Sequence, residues 1–150
     1  MPEEKNLETI PVGPLGIVAM ESCKSLGEKV DDYIAKWRRE RNGEHTHTIA
    51  FSGYQKDSYL VKAQVPRFGS GEAKGVINQS VRGDDLYLMC DVSNYSMTYS
   101  LCGYTNHMSP DDHYQDLKRI IAAVGGKARR LTVIMPFLYE SRQHKRTGRE

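Results

Sequence analysis

The side chains best suited to grip an anion stand at Arg142, Gln143, Lys145 and Arg146, just after the run Leu131–Met135 and the Pro136 that ends it. A guanidinium offers a planar fork of donors to phosphate or carboxylate oxygens, and an amide reads donors and acceptors alike. Five consecutive apolar or β-branched residues suit a short strand buried on both faces, and open α/β sheets bind ligands at the carboxyl ends of their strands. The combination describes an anion site. A solvated basic loop has the same composition, so on spacing alone both readings stay open. Two other groups look chemical and are less so. His45 and His47 would point to one face of a strand, but no third and fourth ligand follows at a familiar spacing, so no metal site is expected. Asp111, Asp112 and His113 resemble a catalytic cluster, yet Ser109-Pro110-Asp111-Asp112 is also the signature of a capped helix start, which accounts for both acids.

The elements that must position these groups follow from periodicity. Leu15–Met20 is a short buried strand. A helix then starts at a capping Ser22, carries Leu26, Val30, Tyr33, Ile34 and Trp37 on one apolar stripe, and ends at Asn42-Gly43. That stripe places Trp37 in the core. Thr48–Phe51 enters a second strand. Ser58–Val65 alternates, and Ala73–Gln79 is its partner across a glycine-containing connector at 66–72, read as a hairpin. Leu86–Cys90 is a further buried strand. Asp91–Met108 shows no period and is expected to be loop with a helical turn. A helix with Leu117, Ile120, Ile121 and Val124 on one face ends at Gly125-Gly126, before the strand Leu131–Met135. The order implies an α/β fold, a mostly parallel sheet flanked by helices, with an antiparallel β excursion near 58–79.

At 150 residues the chain has room for one domain with a proper core. A net charge of +2 does not argue for nucleic acid, and the Arg/Lys clusters come without an RNP-type or helix-turn-helix signature. Three cysteines without CxxC spacing suit a reducing compartment. No apolar run approaches membrane-spanning length, and the acidic start is the wrong opening for a signal peptide, so the expectation is a cytoplasmic protein without a membrane partner. No phosphate-loop, dinucleotide, nucleophile-elbow or HExxH motif occurs.

Several separate segments do agree with one family. RFGSGE at 67–72, INQSVRGDD at 77–85, LYLMCDV at 86–92, DLKRIIAAVGGKARRLTVIMP at 116–136 and FLYESRQHKR at 137–146 resemble, in order and spacing, the amino-terminal domain of the ribose-phosphate pyrophosphokinases. The likeness is close over the second half and looser over the β-α opening. It implies a phosphoribosyltransferase-like fold. It also implies a parent enzyme that moves the diphosphoryl group of ATP to ribose 5-phosphate with Mg²⁺, working as a homo-oligomer. Carried over by motif, Arg142 and Gln143 would bind ATP from the strand-end loop. Phe68 and Glu72 would reach the adenine end across a subunit boundary, and Ser80 and Arg82 would match a regulatory phosphate or ADP site. Ser70 and His144 depart from acids in the family pattern. The family's metal-binding segment, catalytic lysine loop and ribose-phosphate loop lie on a second domain with no counterpart in residues 1–150. The expectation is therefore a single amino-terminal domain with no catalytic residues of its own, inactive alone. The alternative is a non-catalytic regulatory or assembly module of the same fold.

Overall fold

The computed structural model describes residues 11–41, 53–142 and 144–148. Its central sheet is parallel and ordered β1 (Leu15–Ala19), β4 (Asp85–Met89), β7 (Arg130–Ile134). Two antiparallel pairs accompany it, β2 (Ala63–Gln64) with β3 (Val76–Ile77), and β5 (Thr98–Leu101) with β6 (Tyr104–His107). The helices are α1 (Lys24–Glu40) and α2 (Pro110–Val124). The α/β expectation, mostly parallel with an antiparallel excursion, is what the chain adopts.

Side chains leave β1 alternately, so Ile17 joins one core cluster with Cys23, Ala35, Tyr59 and Met89, while Val18 joins another with Leu86, Leu88, Leu117, Ile120 and Val124. The first cluster lies under α1 and the second under α2. The segment at 59–61 runs beside the free edge of β1 in the parallel sense, through Ile17 N–H to the Tyr59 carbonyl (2.8 Å) and Val61 N–H to the Ile17 carbonyl (2.7 Å). Chain order along the sheet therefore reverses between β1 and β4. That is the topological switch point, where an open α/β sheet parts to leave a crevice. The run 58–65 divides accordingly: its first half lines β1, and antiparallel pairing begins at Ala63.

Ser109 caps α2 as expected, its hydroxyl accepting from Asp112 N–H while the Asp112 carboxylate accepts from Ser109 N–H. Helix α1 differs from the expectation in two ways. Ser22 does not cap it; buried, it accepts from Asp91 N–H (3.1 Å) and so ties the end of β1 to the end of β4. The buried stripe is Gly27, Asp31 and Ala35, whereas Leu26, Tyr33 and Trp37 are exposed, Trp37 at 58%. Val30 and Ile34 of the expected stripe do pack on the cluster, so the helix is rotated toward its small-residue side by less than the ~100° that separates adjacent residues. Close approach explains the turn: a Cβ on Gly27 would stand 2.2 Å from the Ala19 Cβ, so only the small-residue face fits against β1. Asp31 is satisfied there by Tyr59 N–H and the Ser58 hydroxyl, both at 2.7 Å.

Two further expectations are corrected. Residues 91–108 contain a hairpin, turned by Cys102 and Gly103 at φ 50° and 83°, the two positive values of a type I′ turn. Cys-Gly is an unusual pair for that turn, which is why the segment reads as loop. Strand β7 is not buried on both faces. It lies at an edge of the sheet, with Leu131 and Met135 packed toward α2; Ile134 is exposed on the opposite face because α1 covers β1 instead, and Val133 is 37% exposed on the α2 side. The expected strand Thr48–Phe51, His45, His47 and the Asn42-Gly43 helix end lie outside the described residues.

Candidate functional site

Beyond β7 the chain turns at Leu138–Ser141, with Ser141 N–H reaching the Leu138 carbonyl (3.3 Å) and Glu140 at a left-handed φ of 54°. Tyr139 clips this turn to the first turns of α2. Its ring stacks on Tyr114, centroids 4.2 Å apart and planes 11° from parallel, and its hydroxyl donates to the Asp111 carboxylate. That hydrogen bond pushes the phenol up to about 12. Arg142 follows on the exposed side, and no group among the described residues pairs with its guanidinium. His144 contacts the Arg142 carbonyl through Nδ1 (3.2 Å). Gln143 lies outside the described residues.

Phe68 and Glu72 sit on the connector between β2 and β3, closed by Phe68 N–H to the Glu72 carbonyl (2.7 Å) and Gly71 N–H to the Phe68 carbonyl (2.9 Å). Phe68 is 53% exposed, and the Glu72 carboxylate accepts from the Ser70 hydroxyl (3.0 Å). The substituted Ser70 thus orients the neighbouring acid. What pins this loop is Arg67, which donates to the Gly71 carbonyl (2.9 Å) and to Asp116 of α2 (2.8 Å), with its guanidinium 4.3 Å from the Tyr99 ring centroid. Burial raises the Asp116 carboxyl above the ordinary range, an effect opposed by Arg119 and Arg67.

Helix α2 is therefore the common post for both loops. Asp111 and Asp116 are five residues apart, about 7.5 Å along the axis and on different sides of the helix. Since 59–61 runs parallel to β1, the connector and the Arg142 loop both emerge at the carboxyl end of the sheet. They are held near one helix, and no hydrogen bond or ion pair joins them among the described residues. Ser80 and Arg82 lie elsewhere, in the exposed turn leading into β4 at the opposite end of the strands, with Ser80 Oγ accepting from Arg82 N–H (3.4 Å).

The anchoring groups Asp116, Tyr114 and Tyr139 do not stand out as site residues in the sequence, and Asp111 was legible only as a helix-start acid. The one available signal was an acid within the face of α2 that carries Leu117 and Ile120, since a buried carboxylate requires a cationic partner from elsewhere in the chain.

A family model described as the N-terminal domain of ribose phosphate pyrophosphokinase matches residues 15–150. A ribose-phosphate pyrophosphokinase of Maricaulis maris (strain MCS10) is 29% identical over 93 residues, which are 61% of this chain and 26% of that protein. The chain thus corresponds to about a quarter of this relative's length.

Proposed function

Because the chain belongs to the family of ribose phosphate pyrophosphokinase N-terminal domains, we propose that it holds the ATP used by such an enzyme to convert ribose 5-phosphate to its 1-diphosphate. The observation that carries this is the Arg142 guanidinium, exposed and unpaired among the described residues on a loop that Tyr139 fixes at the carboxyl end of the sheet. A fixed, uncommitted guanidinium can take phosphate oxygens in pairs or lie on a base. Gln143, next in sequence, would add amide readout. Phe68 and Glu72 are exposed at the same end of the sheet. Exposure of Phe68 on a pinned loop suits contact with a nucleotide bound to a second copy, which makes a homo-oligomer part of the proposal. Ser80 and Arg82, at the far end of the strands, would serve a separate regulatory anion.

No three His, Cys, Asp or Glu side chains among the described residues are grouped as metal ligands. They do not fit a resident Mg²⁺ site, so the ion would enter with ATP. Diphosphoryl transfer depends on metal and cationic charge arrayed around the phosphates. We therefore propose that residues 1–150 bind nucleotide without turnover. No described helix is long and apolar enough to cross a membrane.

Calorimetric titration of the chain with Mg-ATP tests the reading. Saturable binding that falls at least about tenfold in Arg142→Ala, or about 1.4 kcal/mol, is the expected result. Equal affinity in the two proteins removes Arg142 from the site, and no binding by the wild type removes the ATP function.

A further inference from the structure

A cavity of about 350 Å³ opens at the carboxyl end of β1, between the 63–67 segment and the β5–β6 hairpin. We propose that it is a second small-molecule site, separate from the Arg142 loop, and that it takes an uncharged, flat aromatic ligand of about two fused rings.

Size and place come first. The volume falls in the range of small-molecule pockets, and the position is where open α/β sheets bind ligands. The hairpin supplies one wall through Met97, Thr98 and Tyr99, while Met20, Ala63 and Val65 supply the facing wall. Gly71 at φ 89° lets the 67–73 connector seat Leu101 of the hairpin, since a Cβ there would lie 3.1 Å from Leu101 Cδ1. The opening is thus framed by packed elements on both sides.

Charge decides the class of ligand. The ionic groups buried in the lining are already committed: Arg67 to Asp116, Gly71 and the Tyr99 ring, and Asp116 also to Arg119, while Glu21 stands exposed at the rim, 3.7 Å from Lys24. His113 is likewise committed, its Nε2–H donating to the Asn94 carbonyl at 2.8 Å. An anionic or cationic ligand would lose hydration and find no free counter-charge inside, which is unfavourable in a partly dry cleft. The surface that remains is soft and apolar. Three thioethers, Met20, Met97 and Met108, line it, and methionine sulfur packs favourably against aromatic rings. At the exposed mouth the Gln64 amide and the Thr98 hydroxyl make no hydrogen bond among the described residues, leaving donors and acceptors for the polar edge of a heterocycle.

The methionines also report on the site. In protein carrying ¹³C-labelled methionine methyls, assigned by Met→Leu variants, titration with indole is expected to shift Met20, Met97 and Met108 saturably. Met89, in the cluster under α1, and Met135, beside β7, are expected to stay still. Indole-3-acetate and tryptamine, the anionic and cationic analogues, are expected to bind at least about tenfold more weakly. Thr98→Trp plugs the mouth from an exposed position and is expected to weaken indole by a similar factor; should it fail to fold, Met97→Phe fills the cavity from within. No saturable shift, shifts spread equally to Met89 and Met135, or equal binding of a charged analogue would overturn the proposal. The Arg142→Ala protein is expected to bind indole as the wild type does.

Discussion

Replacing Asp116 by alanine probes the joint that holds the 67–73 loop to α2. Arg67 and Asp116 are 11% and 8% exposed at their side chains, with 2.8 Å between Nη2 and Oδ2, and Arg119 takes the other carboxylate oxygen at 21% exposure. At an effective dielectric constant of about 20, a charge pair at that distance attracts by about 6 kcal/mol, against a desolvation cost of several kcal/mol per ion. The two are of similar size, and burial, the largest influence on the Asp116 carboxyl, raises it against the pull of Arg119 and Arg67. Removing one partner breaks the balance, because Arg67 stays buried without its anion. Asp116→Ala is therefore expected to lose about 3–5 kcal/mol, a midpoint drop of roughly 6–20 °C for a chain of this size. The double replacement Arg67→Met with Asp116→Leu, which removes both charges and keeps the volume, is expected to recover most of it. Urea unfolding of wild type, both single variants and the double gives the coupling directly. A loss under about 1 kcal/mol for Asp116→Ala, the value typical of exposed pairs, would refute the claim that this joint is dry.

Three further outcomes follow from local geometry. A Cβ on Gly75 would stand 2.3 Å from the Arg119 carbonyl oxygen, whereas one on Gly69 meets nothing within 4 Å. Gly75→Ala is thus expected to cost about 1–3 kcal/mol in urea unfolding and Gly69→Ala almost nothing, and equal losses would contradict the close packing of β3 on α2. Burial pushes the Cys23 and Cys90 thiols up to about 11, while Cys102 is exposed at the hairpin tip. Iodoacetamide at neutral pH is expected to add one group to the folded protein, at Cys102, and mass spectrometry showing Cys23 or Cys90 modified first would contradict this. Tyr139, raised from 10.0 to about 12 by its bond to Asp111, contributes stability that is complete below pH 10 and lost as pH rises through 12. Phenolate absorbance should therefore show a late step near 12 that is missing in Tyr139→Phe, and a Tyr139 titration near 10 would remove the clip.

The sequence by itself determined what short-range rules govern. The capped start of α2 was legible because Ser109, Pro110 and Asp112 act on neighbouring backbone groups. Strands β1, β4 and β7 showed as apolar runs, and the motif order from Arg67 to Arg146 indicated the family. Tertiary structure decided how these pieces face one another. Hydrophobic periodicity placed Leu26, Tyr33 and Trp37 inward on α1, yet contact with β1 is set by closeness of approach, so Gly27, Asp31 and Ala35 took the face. An apolar run cannot state whether a neighbour will cover it, so β7 read as central and proved to be an edge. Likewise, an acid on the apolar face of a helix does not name its cation. Only the fold brings Arg67 to Asp116 across 49 positions and Tyr139 to Asp111 across 28, because those pairings depend on where the strands deliver the chain.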